Sequence, residues 1–244
     1  FFNILFFFSA FILRGAGCAW NDIIDRNIDK NIERTKNRPI ASKKLSVLEG
    51  LIFTIVSLLF GLITLSLLSK EAIILSLLSI PLIIIYPLTK RITFFPQVWL
   101  GITFNIGILI GYATISNNYF SIPILLLYFG AILWTIAYDT IYAIQDYIDD
   151  KKNNIKSTAT YTNVYAGKFA SIFYLLSSII FIISFDMSNL GLIPKITAAL
   201  VGIWQSYIAF NLNVYDKSKA YKGFKISTFC GGILLVSILV DIYF

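Results

Sequence analysis

The chain has 244 residues, of which 57% are hydrophobic and 14% charged, against roughly 25% charged in soluble globular domains, so an ordinary soluble domain is excluded. There is no histidine, and the two cysteines, Cys18 and Cys230, lie in apolar sequence; no zinc cluster, disulfide framework or histidine proton shuttle is indicated. The net charge of +7 does not read as nucleic-acid binding, because the basic residues flank apolar spans instead of covering a soluble domain.

Apolar stretches long enough to cross about 30 Å of hydrocarbon recur along the whole length. They fall at 1–20, 47–69, 72–89, 96–115, 121–143, 168–186, 190–212 and 226–244. The expected fold is therefore an all-α integral membrane protein, one domain over 1–244, with about eight transmembrane helices. The chain opens at Phe1 in the middle of an apolar run, with no basic n-region and no small-residue cleavage site. It reads as truncated at the N-terminus, not processed. Seven basic residues lie in 21–46, two in 90–95, four in 144–168 and four in 213–225, so seventeen of the twenty fall on one side. The others are Arg14, Lys70 and Lys195. Lysine and arginine collect on the inner face, which places these loops in the cytoplasm or an equivalent compartment.

Two acidic motifs lie on that same side. The first, NDIIDRNIDK at 21–30, ends span one and sets Asp22, Asp25 and Asp29 at i, i+3 and i+7, on one helical face. Asn21 and Arg14 extend this face backwards. The second, DTIYAIQDYIDD at 139–150, ends span five and sets Asp139, Tyr142, Asp146 and Asp150 on a single stripe, with Asp149 off it. Charges at span ends are commonly solvated interfacial residues. Here two sets share one side and one spacing, and Asp139 stands in an otherwise apolar run, where a carboxylate costs roughly 2.5–3.5 kcal/mol.

Six carboxylates, Asp22, Asp25, Asp29, Asp139, Asp146 and Asp150, gathered on one pocket would repel one another. A hard divalent cation relieves this, and Mg²⁺ takes a few carboxylates while keeping other positions for water and phosphates. The implied chemistry is a diphosphate held by metal between two acidic walls. Lys90 and Arg91 at the end of span three, Lys156 after the second motif, and Arg34 and Arg38 after the first are candidates to neutralise it. Arg14 lies about two turns deep in an apolar span, where its planar fork suits a carboxylate or phosphate. The Tyr142 ring, on the aspartate stripe, is suited to shield a developing carbocation.

NDIIDRNIDKNIERTKNRPIASKKLS resembles the first signature of the UbiA prenyltransferase superfamily, NDxxDxxxD followed by RTxxRP. DTIYAIQDYIDDKKNNIKSTA resembles the second, in wording similar to the 4-hydroxybenzoate polyprenyltransferase branch, and YPLTKRITFFPQ at 86–97 resembles that branch's basic loop. The resemblance implies nine transmembrane helices around a central cavity, the first missing here, with the acidic motif loops at 21–46 and 139–160. It implies that Asp25, Asp29, Asp146 and Asp150 bind Mg²⁺–diphosphate, supported by Asn21, Asp22 and Asp139. Arg91 matches a basic position important in the branch and Arg14 one lining the aromatic-acid pocket. Asp25, Asp146 and Arg91 are then the expected catalytic residues, and Arg14, Asn21, Tyr142, Lys90, Arg91 and Lys156 the substrate contacts.

The expected reaction moves a polyprenyl group from its diphosphate to the carbon ortho to the hydroxyl of 4-hydroxybenzoate, on the route to ubiquinone. The expected setting is a bacterial or mitochondrial inner membrane, with the site on the cytoplasmic or matrix side and no obligate protein partner. Haem, a naphthoate or a chlorophyllide is an alternative acceptor within the superfamily. A cation-coupled transporter is a further alternative; it would require interrupted helices near the midplane, whereas both motifs lie at the ends of uninterrupted spans.

Overall fold

The computed structural model describes residues 2–244; Phe1, where the first expected span begins, lies outside them. The described chain is helical, with α1 (Phe2–Asp29), α2 (Val47–Leu65), α3 (Lys70–Ile92), α4 (Pro96–Asn105), α5 (Gly107–Ser116) and α6 (Ile122–Ile144) in its first part. Two short helices follow, α7 (Tyr147–Lys152) and α8 (Thr158–Thr162), then α9 (Ala166–Met187), α10 (Leu192–Phe210) and α11 (Lys217–Tyr243). Among the described residues, eight stretches are long and apolar enough to cross a bilayer, in the order expected. The fold is that of an integral membrane protein.

Local chemistry sets the ends of these helices. The Ser46 hydroxyl accepts from Glu49 N while the Glu49 carboxylate accepts from Ser46 N at 2.7 Å, a reciprocal cap that starts α2. Ser157 begins α8 with a like reciprocal cap to Thr160, and the Ser69 hydroxyl begins α3 by accepting from Ala72 N alone. The Asp216 side chain accepts from Lys219 N at 3.0 Å, which starts α11 nine residues before the apolar run of the eighth expected span. Asn117 ends α5 with φ 54°, a left-handed turn that asparagine tolerates. The fourth span is divided at Ile106 between α4 and α5, where poor helix formers, Asn105 and Gly107, adjoin. The Asn105 amide there donates to Gly101 O and to Thr135 Oγ1 of α6, each at 2.8 Å.

The innermost wall is α6, with 44% of its apolar window buried against 11% for α1. It packs on α4, α9 and α11, while α3 links α4 to α1, and α2 backs α1. Small and hydroxylated residues let these helices approach closely. A Cβ on Gly130 of α6 would come within 2.8 Å of the Phe181 ring of α9. Ser177 Oγ donates to Gly130 O at 2.7 Å and Ser178 Oγ to Ala198 O at 2.8 Å, while Ser171 meets Ser206 at 2.7 Å and Tyr174 meets Ser227 at 2.6 Å. Each such bond between membrane helices contributes about 0.6 kcal/mol. Together they hold α6, α9, α10 and α11 as the frame that carries the second motif.

Candidate active site

The first motif stays helical to the end of α1. Its deepest member, Asp25, is 0% exposed. Lys90, at the end of α3, ion-pairs with Asp25 Oδ2. Asp25 Oδ1 accepts no hydrogen bond and has the Arg91 guanidinium 3.7 Å away. Arg91 itself is exposed and donates to Ile24 O at 2.9 Å.

After Asp29 the chain turns back over the helix end, with Thr35 Oγ1 donating to Asp29 O at 3.1 Å and Ile32 and Ile40 buried beneath. This brings Arg38 Nη1 within 2.9 Å of Asp22 Oδ1 and 3.1 Å of Asp29 Oδ2, so one guanidinium clasps two carboxylates of the motif.

Arg34 of the same segment reaches the other half of the molecule. Its Nε donates to both Asp146 carboxylate oxygens at 2.9 and 3.1 Å, and its Nη2 donates to Asp146 Oδ2. Its Nη1 donates to the Tyr142 hydroxyl at 2.5 Å, and the guanidinium lies 4.6 Å over the Tyr142 ring. Burial works against this charge, yet the Asp146 carboxylate and Tyr142 raise the Arg34 pKa above its ordinary value.

The second motif departs from one continuous stripe. The helix stops at Ile144, Gln145 turns, and Asp146 stands at the start of α7. Even so, Asp139, Tyr142, Asp146 and Asp150 line one cavity of about 170 Å³ together with Asn21 and Asp29 from the first motif. Lys90, Lys156, Arg34 and Arg38 line it too, as do Tyr86, Gln97 and Ser157. Burial, followed by the neighbouring Asp146 charge, pushes Asp150 up to about 7, against the pull of Lys90 and Arg34. Gln97 adjoins Asp139 and accepts from Thr158 N at 3.2 Å. The Lys156 ammonium donates to Ile92 O at 2.9 Å. These bonds tie the tail of the second motif to α3 and α4.

Ten of the sequence-predicted site residues therefore line the cavity: Asn21, Asp29, Arg34, Arg38, Lys90, Asp139, Tyr142, Asp146, Asp150 and Lys156. Asp22 and Asp25 stand just behind its wall, engaged by Arg38 and Lys90, and Arg91 stands at the edge beside Asp25. Arg14 is apart. Eleven residues before Asp25, it lies roughly 16 Å along α1, exposed, on the side facing Tyr138 of α6, with its guanidinium 5.5 Å over the Phe104 ring. Gln97, Tyr86 and Ser157 were not picked out from sequence. Their signal lay in the quoted segments that contain them, YPLTKRITFFPQ for Tyr86 and Gln97 and the KSTA tail for Ser157.

Among the described residues, no three acidic side chains surround a common point in ligand geometry; most of these carboxylates face cations of the same chain. Mg²⁺ needs only one or two carboxylates when phosphate oxygens and water complete its shell. Two opposed walls of oxygen donors, with the buried Asp25 Oδ1 unbonded, suit a magnesium ion shared with a phosphate and not a closed protein cage.

A helical membrane bundle with two acidic motifs opposed across one basic-edged cavity defines a class of membrane-embedded sites suited to anionic, phosphate-bearing ligands. The profile described as "UbiA prenyltransferase family" matches residues 1–229, and the chain belongs to that family. It is 34% identical over 231 residues, 93% of this chain and 74% of the relative, to a 4-hydroxybenzoate geranyltransferase 1 of Lithospermum erythrorhizon. It is 44% identical over 155 residues to a mitochondrial 4-hydroxybenzoate polyprenyltransferase of Drosophila pseudoobscura pseudoobscura, a match over 64% of this chain that spans about two-fifths (39%) of that relative's length. Among solved structures, an apo UbiA homolog from Aeropyrum pernix K1 superposes with a TM-score of 0.83 at 25% identity, over 98% of this chain and 89% of that one. A UbiA homolog from Archaeoglobus fulgidus bound to GPP and Mg²⁺ shares the fold, with a TM-score of 0.66 at 18% identity over 96% and 87% of the two chains.

Proposed function

We propose that the chain transfers a polyprenyl group from polyprenyl diphosphate to the ring carbon ortho to the hydroxyl of 4-hydroxybenzoate, in ubiquinone biosynthesis and with Mg²⁺. The carrying observation is the convergence of two acidic motifs, more than a hundred residues apart in sequence, on one cavity edged by Lys90, Arg34, Arg38 and Lys156. The names of the relatives support the acceptor and the prenyl donor, and the GPP- and Mg²⁺-bound homolog supports the metal. The mitochondrial relatives favour an inner mitochondrial membrane, with the motif side facing the matrix; a bacterial inner membrane has the same polarity.

Asp25, Asp29, Asp146 and Asp150 would hold the metal, supported by Asn21, Asp22 and Asp139. Bound there, Mg²⁺ supplies the charge that stabilises a departing diphosphate. Lys90, Arg34, Arg38 and Lys156 add donors preset at the same place. In the free protein, Lys90, Arg34 and Arg38 are paired with the motif carboxylates, so binding exchanges partners, with cations moving to phosphate oxygens. The allylic C–O bond then breaks. Tyr142, whose ring carries the Arg34 guanidinium 4.6 Å away in the free protein, would turn a π face to the developing cation as Arg34 moves to phosphate, and the surrounding helices keep water away. The ring carbon ortho to the phenol hydroxyl forms the new C–C bond and loses its proton to the diphosphate or an aspartate. Arg91 or Arg14 holds the carboxylate of the acid.

The test is Asp25→Asn and Asp146→Asn in a membrane transfer assay. Both are expected to abolish transfer while the protein stays inserted. Retained activity in both would remove the metal-site assignment.

A further inference from the structure

We propose that the groove between α9 and α10, on the outer surface at the motif end of the bundle, binds one diacyl phospholipid with an anionic headgroup, held by Lys168. The groove encloses about 760 Å³ and is separate from the acidic cavity, sharing no lining residue with it.

Its chemistry is divided along its length. At the motif end stands Lys168, whose ammonium sits between two rings, 5.6 Å from the Tyr165 centroid and 5.4 Å from that of Phe210. Among the described residues it has no carboxylate partner, whereas Lys90, Arg34 and Arg38 are all paired. An exposed, unpaired ammonium on an aromatic seat, at the membrane end where the basic loops gather, is complementary to a phosphate-bearing headgroup. Away from Lys168 the walls become apolar, with Ile172, Leu175 and Ile203 all exposed in the protein alone. In the floor Ser171 and Ser206 bond each other at 2.7 Å, and the other polar groups of the lining, Tyr207 and Asn211, stand at the Lys168 end beside Phe210. From Lys168 to Leu175 the wall runs about 10 Å along α9, most of one leaflet's roughly 15 Å of hydrocarbon. A charged head with apolar walls below it matches a lipid standing in its own leaflet.

The experiment is native mass spectrometry of the detergent-solubilised chain offered equal amounts of phosphatidylglycerol and phosphatidylcholine with the same acyl chains. The wild type is expected to carry the anionic lipid over the zwitterionic one by about fivefold, the worth of one lysine near a charged lipid surface. Lys168→Gln should bring the ratio close to one. Leu175→Trp, which fills the apolar wall, should lower adducts of both lipids. Lys152→Gln, an exposed lysine elsewhere on the same side, should leave the ratio unchanged. An anionic preference that survives Lys168→Gln, or one that Lys152→Gln removes equally, overturns the proposal. So does a dimer, free of lipid, that Leu175→Trp dissociates, because the groove would then be an interface between copies.

Discussion

The contact between Arg34 and Asp146 offers a sharp test, because the proposed function requires Asp146 to change partner. Arg34 donates to both Asp146 oxygens and to Tyr142, a forked, charge-assisted arrangement that would contribute about 1.5–3 kcal/mol if fully desolvated. The Arg34 side chain is 33% exposed, so solvent screening lowers the expected coupling to about 1–2 kcal/mol. A double-mutant cycle of Arg34→Ala, Asp146→Asn and the pair isolates that coupling. It can be read from thermal unfolding in detergent, where 1 kcal/mol moves the midpoint of a chain this size by about 2–4 °C. Without ligand the coupling should lie in that range. With Mg²⁺ and a diphosphate together it should fall towards zero, as Asp146 leaves Arg34 for the metal. A coupling that the ligands leave unchanged would refute the exchange of partners, and no coupling in the free protein would refute the contact itself.

Substitutions at two other positions have distinct expected outcomes. Lys90→Met leaves the fully buried Asp25 with only Arg91 at 3.7 Å, and breaking a buried pair of this kind should cost about 2–4 kcal/mol; Lys90→Arg should recover most of it in the same melts, and an unchanged midpoint for Lys90→Met would show that Asp25 does not depend on Lys90. Arg14→Ala should raise the KM for the aromatic acid by about tenfold or more, the loss of one charged hydrogen bond, with a smaller change for the diphosphate. Equal losses would reassign Arg14.

The spans were legible because hydrocarbon demands long uninterrupted apolar runs, and the face shared by Asp22 and Asp29 was legible from helical phase. The interruption after Ile144 was not. Nothing in the polar stretch from Gln145 to Asp150 distinguishes a continued helix from a turn that restarts as α7. The convergence of Asp139, Asp146 and Asp150 survives because a single turn displaces Asp146 and Asp150 without leaving the cavity. Arg34 and Arg38 were visible only as charges near the first motif. Their partners depend on how residues 30–46 fold back, and that segment has no periodicity to read. Arg14 was expected deep in its span as a buried charge; in the structure it is exposed beside Phe104, a matter of which neighbours α1 acquires. Gln97 became intelligible only once α4 was seen beside α6 and the start of α8.

The central claim is prenyl transfer from a diphosphate to an aromatic acid. It is tested most directly by incubating membranes carrying this chain with radiolabelled geranyl diphosphate and, in parallel, 4-hydroxybenzoate, a naphthoate, haem or a chlorophyllide, each with Mg²⁺ or with EDTA. The account predicts a labelled product with 4-hydroxybenzoate that needs Mg²⁺ and is absent from Asp146→Asn membranes. Product formed equally well in EDTA, or formed only with one of the other acceptors, would contradict it.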